Sequence, residues 1–237
     1  MIILLKLLLA HFVGDFILQP GSWVVEKEEK KIRSVKLFLH LLLHGALVWL
    51  ILWNLNGWLP ALLVVLFHGV IDIIKIYAQK GEHIPWWFLT DQALHLIGIT
   101  AIWYFWFKPD ITLPPLHDNS IIWIYATALV FITVVSGIVI QVVMSKWSES
   151  LNSSSDASLS NAGKYIGILE RLLIFTFVVS GHWEAIGFLI AAKSVFRFGD
   201  LKESKERKLT EYILIGTLLS FGIALVTGII VVKLLTY

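Results

Sequence analysis

Residues 62–75, LLVVLFHGVIDIIK, set His68 and Asp72 four positions apart in a stretch that is otherwise apolar as far as Lys75. On a helix that spacing puts both side chains on one face, one turn apart. The pattern recurs in three other apolar stretches. His11 and Asp15 lie in LLLAHFVGDFILQ, His40 and His44 in VKLFLHLLLHGALV, and Asp91 and His95 in FLTDQALHLIGI. Ionisable groups at membrane depth are costly to bury and mark functional sites. The four stretches read as a helical cage around a metal site.

Composition carries the membrane part of that reading. The chain has 237 residues, 57% of them hydrophobic and 15% charged, with a mean hydropathy of +0.80. A soluble domain is nearer half apolar and a quarter charged. The excess lies in long apolar runs, so the expected fold class is all-α, a polytopic integral membrane helical bundle. A net charge of +2, with no basic stripe, argues against a nucleic-acid partner. The absence of Cys excludes disulfides, thiolate metal sites and Cys nucleophiles. Any metal must be held by His, carboxylate and water. Many of the 11 Trp fall near segment ends, as interfacial belts do. The N-terminus lacks a basic region and a small-residue cleavage site, so its first span is expected to be retained.

About eight membrane segments are expected, roughly at residues 2–18, 35–53, 60–77, 86–107, 121–144, 164–179, 183–196 and 212–235. The seventh is short for a ~30 Å hydrocarbon core and reads as tilted or re-entrant. The Pro-rich KPDITLPPLHDNS divides an N-terminal four-helix polar bundle, residues 1–108, from a C-terminal helical bundle, residues 119–237. Residues 145–163, rich in Ser and Asn, read as a mobile loop. The charged stretch 21–34, containing EKEEKKIR, has room for a short surface helix. Lys and Arg concentrate after the first, third, fifth and seventh segments. The positive-inside rule then puts those loops in the cytoplasm and both termini outside, in a bacterial cytoplasmic membrane. At ~1.5 Å rise per residue, all four polar pairs reach a similar depth in the cytoplasmic half.

The metal-ligand candidates are His11, Asp15, His40, His44, His68, Asp72, Asp91 and His95. Imidazole with carboxylate suits a divalent transition metal, zinc first, with manganese or iron as alternatives. The set exceeds the needs of one tetrahedral ion. It fits one ion with outer carboxylates orienting the rings, or two ions about 3.5–4 Å apart. Asp15, Asp72 and Asp91 are also the catalytic candidates, as general base or ring-orienting partners. Lys75 is placed to bind a phosphate or to snorkel to the interface, and Gln19 and Gln92 are polar neighbours. Each pair alone has a plainer reading as an interhelical hydrogen bond; four pairs at one depth favour function. Bis-His haem ligation would also draw on separate helices, but a haem pocket gains little from three carboxylates.

The second half has a smaller set. Glu170 and Arg171 lie in GKYIGILERLLIF, and Lys193 and Arg197 in FLIAAKSVFRFGD. Glu170 with Lys193 or Arg197 forms a buried ion pair on one reading. On the other, the group is a cationic cradle for an anionic head group, with Arg171 or Arg197 forked onto phosphate.

AHFVGDFILQP, HLLLH, HGVIDIIK and TDQALHL in the first half resemble a family of bacterial membrane proteins catalogued as a domain of unknown function, number 3307. GKYIGILERLLIF, IGFLIAAKSVFRFGDL and TEYILIGTLLSFGIAL extend the resemblance over nearly the whole chain. The family brings no activity with it. The HxxxD and HxxxH pairs are also loosely similar to membrane-bound metal-dependent hydrolases. There is no HExxH, GxSxG or Gly-rich phosphate loop. The leading expectation is an intramembrane metal-dependent hydrolase acting on a lipid or lipid-linked substrate, with membrane lipid as partner. Lys75, Gln92, Glu170, Arg171, Lys193 and Arg197 are its substrate-binding candidates. The alternative is a metal-ion or proton-coupled transporter. A membrane sensor with a closed, structural metal is a third class.

Overall fold

A computed structural model describes residues 1–53, 57–79, 84–108, 118–149, 157–197 and 204–236. Among them the regular elements are helices, with no strand, and the fold class is all-α. The helices are α1 (Ile2–Phe12), α2 (Gly21–Lys30), α3 (Val35–Leu52), α4 (Trp58–Ala78) and α5 (Ile84–Phe107). There follow α6 (Asp118–Val130), α7 (Ser136–Glu149), α8 (Ala157–Val179), α9 (Trp183–Arg197) and α10 (Ser204–Thr236). Two π-helical segments interrupt them: Val13–Ile17 extends α1, and Phe131–Val135 joins α6 to α7. Apolar runs of this length fold as helices because a helix satisfies its own backbone where water is absent.

Among the described residues, four helices are long and apolar enough to cross a membrane: Val35–Leu52, Trp58–Ala78, Ser120–Ser145 and Leu209–Thr236. The bent pair Ile2–Ile17 and Gly21–Arg33 makes a fifth. These helices make the chain a membrane protein, with fewer clear spans than the expected eight. The reasons are local. Asp91, Gln92 and His95 lower the hydropathy of α5, α8 carries Lys164, Glu170 and Arg171, and α9 has 15 residues.

The chain divides into two compact units, Met1–Val130 and Phe131–Tyr237. The division falls within a helix rather than at the Pro-rich connection, whose residues 109–117 lie outside the described ones. The stretch after that connection packs back on the first unit, where α6 contacts α1 and Thr127 Oγ1 donates to Leu5 O at 3.2 Å. Of the expected mobile loop at 145–163, residues 150–156 are likewise outside the described residues; 145–149 are the end of α7 and 157–163 the start of α8, so those flanks are helix rather than loop.

In the N-terminal unit, α4 packs between α3 and α5, while α1 contacts α3, α5 and α6. Leu7, Ala10, Val48, Ala61, Val64 and Ile99 form its apolar core. Ser34 starts α3, its Oγ accepting from Leu37 N at 3.4 Å, which satisfies one of the otherwise open N-terminal amides. At the other end of α1, Leu18 N donates to Val13 O at 2.9 Å, the wider ring of a π-turn. Pro20 then holds an extended backbone and cannot continue the helix, so the chain bends by 84° into α2. That bend returns α2 to α3. In the C-terminal unit, Ile174, Val178, Ile186, Phe221 and Ala224 form the core of α8, α9 and α10. A Cβ on Gly228 would stand 2.8 Å from the Val178 side chain, so this glycine permits the close approach of α10 to α8.

Candidate metal centre

The four pairs converge within the N-terminal unit. Asp15 sits at the middle of it, on the π-segment that ends the first span. Its Oδ1 lies 2.8 Å from His44 Nε2, 3.3 Å from His40 Nε2 and 3.4 Å from His68 Nε2. His40 Nε2 is 3.1 Å from His68 Nε2. His40, His68 and Asp15 therefore present three donor atoms in a nearly equilateral triangle. Metal bonds of about 2.0–2.1 Å at tetrahedral angles place donor atoms about 3.3 Å apart. The spacing fits a small divalent ion.

The remaining members adjoin this triangle. His95 Nε2 is 3.8 Å from Asp72 Oδ1, and its Nδ1 is 3.8 Å from Asp91 Oδ1. His11 Nδ1 is 3.9 Å from Asp15 Oδ2. Gln92 ties the parts together. Its Nε2 donates to Asp15 Oδ2 at 2.9 Å and to Asp91 Oδ2 at 3.3 Å, and its Oε1 lies 3.2 Å from His11 Nε2. The rings stack face to face, His44 on His68 and His68 on His95, each with centroids 3.9 Å apart. Ligand atoms of His11, Asp15, His44 and His68 gather within 4.8 Å of one another, as do those of His40, His68 and Asp72, and those of Asp72, Asp91 and His95.

Burial makes this arrangement demanding. Each of the five imidazoles is at most 3% exposed. His11 Nδ1, His40 Nδ1, His44 Nδ1, Asp91 Oδ1 and both ring nitrogens of His95 are buried without a hydrogen-bond partner. An unpaired buried polar atom costs about 1–3 kcal/mol, and such atoms are rare in native proteins. They cluster in one place, and these buried His and Asp groups could hold a metal ion.

Residues 3–120 match the model of a family described as a protein of unknown function, DUF3307. The chain belongs to this family through its N-terminal half. No curated protein and no solved structure matches it. The matched region of this DUF3307 chain contains all eight clustered residues, and the C-terminal motifs quoted above lie beyond it.

Two residues of the centre escaped sequence reasoning. Lys27, on α2, is 5% exposed and donates to Asp72 Oδ2 at 2.8 Å. Gln19 steadies it: with its amide oxygen turned to Lys27, Oε1 accepts from Nζ at 2.5 Å and Nε2 donates to Asp15 O at 3.3 Å. Lys31 Nζ, donating to Ile76 O at 2.5 Å, anchors the following turn on α4. Nothing in EKEEKKIR distinguishes Lys27 from its charged neighbours, and its role depends on the bend after Pro20. The second residue is Gly14. A Cβ there would lie 2.5 Å from His44 Cε1, so glycine makes the space in which His44 meets Asp15. Lys75, a substrate-binding candidate, donates to Asp91 Oδ2 at 2.8 Å.

The second-half candidates make a separate set in the C-terminal unit. Lys193 Nζ lies 2.7 Å from both carboxylate oxygens of Glu170, the ion pair of the plainer reading. Arg171, 4% exposed, donates from Nε to Ile132 O, from Nη2 to Thr133 O at 3.2 Å and from Nη1 to Ser220 Oγ at 3.2 Å. Two of those acceptors belong to the π-segment, where the irregular turn frees carbonyls. A fork onto phosphate would have to break these bonds. Arg197 closes α9, and its side chain lies outside the described residues.

Proposed function

We propose that the N-terminal unit binds a divalent transition metal, zinc first with manganese or iron as alternatives. On this reading the chain is a membrane-bound metal-dependent hydrolase acting on a lipid or lipid-linked substrate. One observation carries it: the near-equilateral triangle of His40 Nε2, His68 Nε2 and Asp15 Oδ1, with edges of 3.1, 3.3 and 3.4 Å. A divalent ion in such a site supplies Lewis acidity and lowers the pKa of coordinated water. The protein's own groups do the rest. Gln92 fixes the Asp15 carboxylate, and the stacked His44, His68 and His95 rings hold one another in place. Asp91 Oδ1, buried and without a hydrogen-bond partner, is the oxygen available to accept a proton. The lipid side of the proposal draws on an apolar groove of about 600 Å³ along α3 and α4, lined by Phe38, Leu42, Trp49 and Trp58. The alternation of basic loops supports a centre in the cytoplasmic half of a bacterial membrane, with both termini outside.

A specific observation favours a second reading, a metal-ion or proton-coupled transporter. His11, His95, His68, His44 and His40 form a continuous file of rings, with successive centroids 5.3, 3.9, 3.9 and 4.6 Å apart. Such files relay protons. The void touching His68 and His95 measures about 10 Å³, the size of a water rather than of a lipid head group.

Metal content by mass spectrometry of detergent-purified protein tests the shared premise. Wild type is expected to carry transition metal, and a His44→Ala, His68→Ala double variant to lose it. A well-folded wild type that is metal-free, purified without chelator, overturns the metal centre. Proteoliposomes then separate the readings: metal-dependent release of a head group supports the hydrolase, and ion flux without lipid turnover supports the transporter.

A further inference from the structure

The eight-residue set is large enough for two ions, and its two halves differ in what already occupies them. Around Asp15 Oδ1 the neighbours are the His40, His44 and His68 nitrogens, and no Lys or Arg among the described residues pairs with it. Around Asp72 and Asp91 the protein has placed two ammonium groups. Lys27 Nζ is 2.8 Å from Asp72 Oδ2, and Lys75 Nζ is 2.8 Å from Asp91 Oδ2. Each neutralises a carboxylate that a second ion would need, bonding its Oδ2 and leaving the Oδ1 that lies 3.8 Å from a His95 nitrogen.

We infer that the centre takes one divalent ion, in the half built from Asp15, His40, His44 and His68, and that Lys27 and Lys75 fill the second cation position between Asp72, Asp91 and His95. The inference rests on the metal-binding reading above and fixes its stoichiometry.

Charge supports it. Three carboxylates face two ammonium groups, and metal-ligating imidazoles are neutral, so the cluster without metal holds one net negative charge. One divalent ion reverses that to one positive charge. A second would bring the buried cluster to three positive charges, with both ammonium groups a few ångströms away. Uncompensated charge of that size in a low-dielectric interior is prohibitive. Construction supports it as well. Lys27 is as buried as the carboxylate it meets, each side chain being 6% exposed, and Gln19 accepts a further hydrogen bond from it. A lysine that merely snorkelled would keep its head group in water. The same contact gives α2 a role: it closes over the inner end of α4 through Lys27 on Asp72 and Lys31 on Ile76 O.

The test counts ions in the full-length, detergent-purified chain equilibrated with Zn²⁺ or Mn²⁺. Wild type is expected to hold one equivalent, a Lys27→Met, Lys75→Met variant two, and Lys27→Arg, Lys75→Arg one. Retention of the first ion reports that the methionine variant is folded. With Mn²⁺, electron paramagnetic resonance of the wild type is expected to show an isolated ion, and of the methionine variant an exchange-coupled pair. Two equivalents or a coupled spectrum in wild type overturns the inference while leaving the metal centre standing. A folded methionine variant that stays at one equivalent also overturns it. A wild type with no metal overturns the metal centre itself, which separates the two failures.

Discussion

Asp15 and Arg171 each depend on a π-helical segment, Val13–Ile17 in one unit and Phe131–Val135 in the other. Around Asp15 the irregular turn presents a carboxylate to three imidazoles, and atoms of the surrounding cluster are left buried and unpaired. Around Arg171 the freed carbonyls are taken up by the guanidinium, whose three nitrogens each have a protein acceptor. The same backbone device serves two ends. A buried polar group whose bonds close within the protein fixes helix packing. A cluster with open valences calls for a ligand. The difference rests on hydrogen-bond satisfaction, since both Asp15 and Arg171 are well buried.

The sharpest way to break that comparison is Arg171→Met. It removes the guanidinium's hydrogen bonds to Ile132 O, Thr133 O and Ser220 Oγ, while Ile132 O keeps its bond from Ser136 Oγ; at about 0.5–1.5 kcal/mol for each bond lost, the expected cost is about 2–4 kcal/mol. Denaturant unfolding of the detergent-solubilised protein reads that loss, and metal content is expected to stay at the wild-type level. Loss of metal in this variant would show that the two polar sets are not separate.

Gly14→Ala addresses the other side. Its new methyl collides with the His44 ring, so His44 leaves Asp15. Disturbing the orientation of a ligand in this way typically costs about 10–100-fold in metal affinity. Competition with a chelator measures it. An unchanged affinity would remove His44 from the centre.

The smallest effect is expected at Glu170→Gln. Its partner Lys193 is 26% exposed, and a partly exposed ion pair contributes about 0.2–1 kcal/mol. Thermal unfolding is expected to shift by about 4 °C at most, with metal content unchanged. A large loss would mean that Glu170 has a ligand or partner besides Lys193.

The comparison also shows where one-dimensional reading works. The spacing of His11 and Asp15, His40 and His44, His68 and Asp72, and Asp91 and His95 places each pair on one helical face whatever the helix packs against. Opposite directions of successive helices then bring the pairs to one level. Periodicity has no equivalent grip on Lys27. Its contact with Asp72 exists because the chain stops at Pro20, bends by 84° and lays α2 against α3. Gly14 is legible only once His44 is known to fill the space above it. The sequence allows Arg171 to fork onto a phosphate because it does not show that a π-segment will offer carbonyls.

By itself, then, the sequence determined an all-α membrane chain with four ionisable pairs facing inward, since hydropathy and helical spacing are local properties. Tertiary structure decided which atoms meet. It put Asp15 Oδ1 within 3.4 Å of three imidazole nitrogens, gave Asp72 and Asp91 their lysines, and turned Arg171 onto the backbone. Those outcomes depend on bends, π-turns and close approaches between distant helices, and the contacts involved lie far apart along the chain.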